Sequence, residues 1–168
     1  VNTGVYRAGF ATAQDKYEEA VSELFKTLDW LEKRLAKRKW LCGRPFTEAD
    51  VRLFTTLVRF DVGYHGAFKC NLRRIVDYRA LSRYMREIFH LPGIAGTVDV
   101  DHIKRHYYES HRAINPTGIV PVGPELGNWL TEHGREALGG RPFGDGTPPP
   151  PPKKAPPVDR PTPGTNAI

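Results

Sequence analysis

Gly43-Arg44-Pro45-Phe46-Thr47-Glu48-Ala49-Asp50-Val51-Arg52-Leu53-Phe54 is the stretch whose reading decides the fold. The Thr47 hydroxyl is placed to accept from the backbone N–H of Asp50, while the Asp50 carboxylate reaches back to the N–H of Thr47, the reciprocal pairing of a capping box. Phe46 and Val51 stand at the positions of a hydrophobic staple. The helix started in this way runs from Val51 to Phe60 and is apolar on most sides, through Val51, Leu53, Phe54, Leu57, Val58 and Phe60. It should therefore be the buried centre of the domain.

The flanking segments supply what such a helix needs to pack against. From about Gln14 to Arg38, Tyr17, Val21, Leu24, Leu28, Leu31 and Leu35 recur at helical spacing, and Lys16, Glu19, Glu23, Lys26, Glu32 and Lys33 occupy the other face. This pattern predicts a long amphipathic helix. Before it, Val1 to Ala13 reads as an ordered lead-in anchored by Tyr6 and Phe10. After the central helix, Asp61 to Asn71 reads as a loop rich in glycine and aromatics. Asp77 is then placed to cap a helix from Tyr78 to His90, which Leu91-Pro92-Gly93 stops. No stretch reads convincingly as a strand, so the expected fold class is an all-α helical bundle.

The stretch Val98 to Pro121, VDVDHIKRHYYESHRAINPTGIVP, holds three histidines, two adjacent tyrosines and a basic pair. If Asp99 or Asp101 starts a helix, His102 and His106 share one face, with Tyr108 and Glu109 near it. Asn115-Pro116 would end that helix. A last helix is expected from Glu125 to His133, with Trp129 and Leu130 turned inward. So many ring-bearing side chains together read as the wall of a site.

The chain has 168 residues, enough for one domain and a tail. The domain is placed at residues 1–144. Residues 145–168 hold nine of the 15 prolines and almost no apolar side chain, so they read as a disordered, partly polyproline-II tail. The net charge of +6 resides mainly in the body and fits nucleic acid, an acidic small molecule or no particular partner. Phosphate-loop, dinucleotide, zinc-finger and RNP-like motifs are all missing, so no nucleic-acid partner is expected. No membrane partner is expected either, because no apolar run approaches the roughly 20 residues of a span. The N-terminus has no signal-peptide pattern, and the chain reads as soluble and cytoplasmic. Cys42 and Cys70 lie outside any CxxC and read as reduced thiols. A start at Val1 in the turn-like Asn2-Thr3-Gly4 reads as the continuation of a longer polypeptide.

The arrangement GxxxTxAD from Gly43 to Asp50, followed by Val-Arg-Leu-Phe, resembles the capping box and central helix of the C-terminal helical domain of the glutathione S-transferases. Three further motifs narrow this. They are Asn2-Thr3-Gly4-Val5-Tyr6-Arg7-Ala8-Gly9-Phe10-Ala11; then Arg59-Phe60-Asp61-Val62 with Tyr64-His65 and Phe68-Lys69-Cys70-Asn71-Leu72-Arg73-Arg74; then His106-Tyr107-Tyr108 with Ser110-His111, Ile114-Asn115-Pro116 and Ile119-Val120-Pro121. Together they resemble the glutathionyl-hydroquinone reductases, the Xi class of glutathione transferases, from about Val1 to Pro124.

That resemblance implies a two-domain enzyme whose thioredoxin-like N-terminal domain binds glutathione and supplies the nucleophilic cysteine. The helical domain would bind aromatic hydroquinone conjugates through Tyr6, Tyr107 and Tyr108, with glutathione as cosubstrate and no metal. It would also form a homodimer. Which of Tyr107 and Tyr108 faces the pocket stays open, because adjacent helical residues point about 100° apart. No thioredoxin-like segment or active-site cysteine motif is found in the sequence. The expectation is thus a C-terminal domain that is inactive alone, with no catalytic residue of its own.

Two other readings stand beside this one. A helical domain of this type also serves as a non-catalytic protein-interaction module. The pair His102 and His106 could share a metal ion, with Lys104, Arg105, Arg73 and Arg74 on phosphates. Arg59, Lys69, Arg73 and Arg74 otherwise read as a solvated face with ion pairs to Asp61 and Asp77.

Overall fold

A computed structural model describes residues 1–139. The proline-rich segment and the boundary drawn at residue 144 lie outside the described residues. Five α-helices carry the fold: α1 (Asn2–Gly9), α2 (Gln14–Leu35), α3 (Glu48–Arg59), α4 (Arg79–Phe89) and α5 (Val100–Glu109). No strand occurs among the described residues, only an isolated bridge between Trp40 and Gly43. The expected helical bundle is present.

The long helix α2 forms where its periodicity places it and buries Val21, Leu24, Leu28, Leu31 and Leu35, together with Ala20 and Phe25. It packs against α1 on one side and α4 on the other. The lead-in is itself helical: α1 packs on α2 and buries Val5, Ala8 and Gly9, the last facing the Phe68 ring. Arg7 clamps the pair from outside, with Nη1 2.6 Å from Glu23 and Nη2 3.2 Å from Glu19.

The capping box of α3 is formed, with the Thr47 N–H donating to Asp50 at 2.9 Å. Asp50 does more than cap. Its carboxylate is fully buried, and it also accepts from the Leu41 N–H at 2.8 Å and the Tyr84 hydroxyl at 2.7 Å. One side chain thereby joins the start of α3, the turn after α2 and the middle of α4. Phe46 turns its ring onto Trp40, 5.0 Å between centroids, and Val51 is 46% exposed, so the apolar seal here rests on Trp40.

Several expected boundaries move. The segment after α3 continues as a π turn, Phe60–Tyr64, before it becomes loop. Asp77 does not cap α4. It accepts from the Arg74 N–H at 2.9 Å and closes the 3-10 turn Ile75–Asp77. Asp99 caps α5, accepting from the His102 N–H at 2.9 Å, and the helix ends at Glu109 well before Asn115. The Asn115 amide instead reaches back to the Tyr108 carbonyl at 2.7 Å and across to that of Ile119 at 2.9 Å, so it satisfies the end of α5 from a distance. The expected helix Glu125–His133 is only a 3-10 turn, Gly127–Leu130, in which Trp129 is buried but Leu130 is 78% exposed. Pro124 and two nearby glycines leave too little regular backbone there for an α-helix.

A buried charge cluster fastens the last described segment. Glu87 on α4 pairs with Lys39 and, at 2.8 Å, with Arg135. The Arg135 guanidinium also donates to the carbonyls of Leu35, Arg38 and Lys39 at 2.8, 3.0 and 2.6 Å, which satisfies the end of α2.

Candidate functional site

Three phenols from three separate segments meet at one cavity. Tyr6 comes from α1, Tyr64 from the π turn and Tyr107 from α5. The Tyr6 and Tyr107 hydroxyls lie 3.1 Å apart, and the Tyr107 hydroxyl donates to that of Tyr64 at 2.9 Å. The rings pack edge to face, with centroids 4.9 Å apart for Tyr64 and Tyr107 and 5.9 Å for Tyr6 and Tyr64. The cavity beside them has a volume of about 230 Å3 and is completed by Asn2, Thr55, Thr56 and Arg59.

The surrounding aromatics hold these rings in place. Phe68 sits 5.2 Å from Tyr6 and 5.5 Å from Tyr107, and His111 stacks on Tyr107 with the ring planes 5° apart. Two glycines allow the close approach of α5. A Cβ on Gly63 would lie 2.5 Å from the Tyr107 ring, and one on Gly66 would lie 2.1 Å from the Tyr108 hydroxyl. These contacts separate the two adjacent tyrosines: Tyr107 joins Tyr6 and Tyr64, whereas Tyr108 lays its phenol tip against the loop at Gly66.

Burial sets the protonation of the cluster. Desolvation, reinforced by the Tyr6 hydrogen bond, leaves the Tyr107 phenol pushed up to about 12, and desolvation raises that of Tyr64 as well. Both stay protonated at neutral pH and can act as hydrogen-bond donors. His106, whose ring lies 4.8 Å from that of Tyr107, is held below the ordinary imidazole range mainly by burial.

Of the residues singled out in the sequence, Tyr6 and Tyr107 are brought together, Tyr108 lies to one side, and Thr47 and Asp50 act away from the cavity as structural groups. Tyr64 was hidden in what read as a loop; its signal was the pair of glycines on either side. The expected ion pairs are redistributed. Arg74 does pair with Asp77 at 2.8 Å, but Arg73 pairs with Asp29, and Asp61 accepts the Ile75 and Val76 N–H groups at 2.6 and 3.1 Å. Lys104 donates to the carbonyls of Pro121 and Val122, and Arg105 bridges Asp101 and Glu109. No group of three or more metal-ligating side chains is found among the described residues. A wider cavity of about 630 Å3, lined by Lys37, Arg38, Lys39 and Arg44, offers no aromatic ring for stacking and is edged by Gly139, the last described residue.

Residues 14–87 match the family described as glutathione S-transferase, C-terminal domain, and that stretch is a domain of this family. Within it, the chain is similar to reductases of glutathionyl-hydroquinones. It is 60% identical over 124 residues to the glutathionyl-hydroquinone reductase PcpF of Sphingobium chlorophenolicum, a match covering 74% of this chain and 40% of that protein. A glutathione transferase structure from Gordonia bronchialis superposes with a TM-score of 0.88 at 58% identity, over 91% of this chain and 48% of that one. The glutathione-bound structure of YqjG from Escherichia coli superposes with a TM-score of 0.79 at 51% identity, over 81% and 44%. The chain thus spans about two fifths of the length of the curated relatives it matches. No described helix is long and apolar enough to cross a membrane.

Proposed function

We propose that this chain is the hydroquinone-binding helical domain of a cytoplasmic, glutathione-dependent reductase that removes glutathione from glutathionyl-hydroquinones. The observation that carries this reading is the run of three hydrogen-bonded phenols, Tyr6, Tyr107 and Tyr64, open to one cavity in a chain similar to such reductases. Tyr108 supports the wall by packing α5 on the loop at Gly66.

The chemistry gives the phenols a task. A cysteine thiolate, supplied by a thioredoxin-like domain outside residues 1–139, attacks the glutathionyl sulfur and breaks its bond to the ring. The ring carbon takes a proton and leaves as hydroquinone, and the cysteine is left as a mixed disulfide with glutathione. A second glutathione thiolate attacks that disulfide, releasing oxidised glutathione and the cysteine. Aromatic faces stack on the quinol, and phenols that keep their protons donate to the oxygen on which charge develops. Cys70 is unsuited to the nucleophile's role, since it is fully buried and its thiol is pushed up to about 12 by desolvation. The reading includes a homodimer formed through the helical domain, for which the exposed Trp30, Leu72 and Val76 provide apolar surface.

The test is glutathione-dependent turnover of a glutathionyl-hydroquinone by this chain alone and by the chain joined to a thioredoxin-like domain from a related reductase. Turnover only in the joined form supports the proposal. Turnover by neither form turns the reading toward a non-catalytic interaction module.

A further inference from the structure

The cavity that holds the three phenols also holds a cation. Arg59, the last residue of α3, lines that cavity and a neighbouring one of about 160 Å3 formed with Thr97, Val98, Asp99, His102 and Ile103. Thr55, one turn earlier, borders both as well, so the two cavities adjoin across a single turn of α3.

The sequence context suggested an ion pair between Arg59 and Asp61, but the Asp61 carboxylate is occupied by the Ile75 and Val76 N–H groups. Arg59 makes one hydrogen bond, from Nη1 to the Thr55 carbonyl of its own helix at 2.6 Å, and no ion pair with a carboxylate among the described residues. A guanidinium carries five N–H donors in a planar fork, so most of its capacity is unused at a half-buried position. Its charge is felt across the cavity, opposing the upward push on Tyr107 and adding to the depression of His106. Besides the phenols, the described titratable groups at the groove are Asp99 and His102 on the far side, where the Asp99 carboxylate is engaged as the α5 cap. Among the described residues, Arg59 is the only formally charged side chain lining the phenol side.

A partly desolvated guanidinium without a carboxylate is best compensated by an anion that offers two oxygens to its fork. Beside phenols that stack on an aromatic ring, that anion belongs on the ring. We propose that Arg59 is a specificity-determining residue that binds a carboxylate on the aromatic ring, so that the preferred substrates are acid-substituted hydroquinones. The proposal rests on the functional reading above and narrows its substrate class.

The experiment is calorimetric titration of the 168-residue chain with gentisate, with unsubstituted hydroquinone and with reduced glutathione. Gentisate should bind at least about tenfold more tightly than hydroquinone. Arg59→Gln should abolish the preference, so that gentisate and hydroquinone bind with equal affinity, and Arg59→Lys should retain part of it. Equal binding of the two quinols, no binding of gentisate, or a preference that survives Arg59→Gln overturns the proposal. Glutathione binding that is lost with Arg59 overturns it too, because the cation would then serve the carboxylates of the thiol. Circular dichroism and melting curves establish that each variant is folded. If Arg59→Gln does not fold, a gentisate preference in Arg59→Lys equal to that of the original chain overturns the proposal, and a reduced one supports it. Turnover of an unsubstituted glutathionyl-hydroquinone by the joined two-domain form tests the functional reading separately and is unaffected by failure here.

Discussion

The Tyr107 hydroxyl donates to that of Tyr64 at 2.9 Å, joining α5 to the π turn that follows α3. Its oxygen also lies 3.1 Å from the Tyr6 hydroxyl, so one phenol oxygen links the first helix to the other two segments.

Tyr107→Phe should therefore act on both stability and chemistry. Removing the hydroxyl takes two hydrogen bonds from a buried site and should lower unfolding free energy by about 1–2 kcal/mol. In the joined two-domain form it should reduce kcat about a hundredfold, the scale of losing one donor to developing charge, because the neighbouring Tyr64 and Tyr6 phenols lose the oxygen that orients them. Tyr108→Phe should leave kcat within about threefold of the original. Steady-state kinetics of the two variants side by side checks the assignment.

Asp50→Ala should be among the more damaging single changes in the domain. It removes the α3 cap and leaves the Leu41 N–H and the Tyr84 hydroxyl without their acceptor. The expected loss is about 3–5 kcal/mol, read from urea unfolding. Thr47→Ala, which leaves the carboxylate in place, should cost only about 1 kcal/mol.

Glu87→Gln should loosen the segment around Arg135. The substitution leaves Lys39 and Arg135 buried without a counter-charge, at a cost of about 3–5 kcal/mol. Hydrogen exchange should accelerate at the end of α2 and around residues 127–139 more than in α3. Uniform acceleration throughout the domain would mean that the cluster does not act locally.

Alkaline unfolding should precede ionisation of the phenol cluster. The folded chain raises Tyr64, Tyr84 and Tyr107 above their ordinary value of 10.0, with Tyr107 pushed up to about 12. The unfolded chain thus gives up these protons first. The associated stability is intact below pH of about 10 and is lost as pH rises through about 12. Tyrosinate absorbance should therefore appear in two stages, the second coinciding with loss of helical circular dichroism.

The parts of the fold legible in the sequence were those in which local pattern and tertiary role agree. The apolar repeat of α2 and the Thr47–Asp50 cap of α3 are local signals, and both elements form where those signals lie. The lead-in was harder to read because α1 is a single short helix with a glycine near each end, and its helicity depends on packing against α2. Leu130 falls inside only on a helical repeat, and the segment makes no more than a 3-10 turn, which leaves the side chain exposed.

The site was half visible. Tyr6 and Tyr107 carry recognisable motifs, but their contact spans 101 positions and no spacing rule encodes it. Tyr64 was obscured because a π turn has no distinctive side-chain period, although Gly63 and Gly66 marked a place where something approaches closely. Arg59 looked like a surface charge beside Asp61. Only the engagement of that carboxylate by two backbone N–H groups reveals the guanidinium as free to turn to the cavity.

Arg135 sets a practical limit on how the domain can be cut. The family match stops at residue 87 and the similarity to PcpF covers 124 residues, yet the carbonyls that finish α2 are satisfied from position 135. A fragment trimmed to the recognisable core would expose those carbonyls and leave Glu87 with only Lys39. The packed unit is therefore longer than the stretch that the family match marks out, and an expression boundary should be set beyond Arg135.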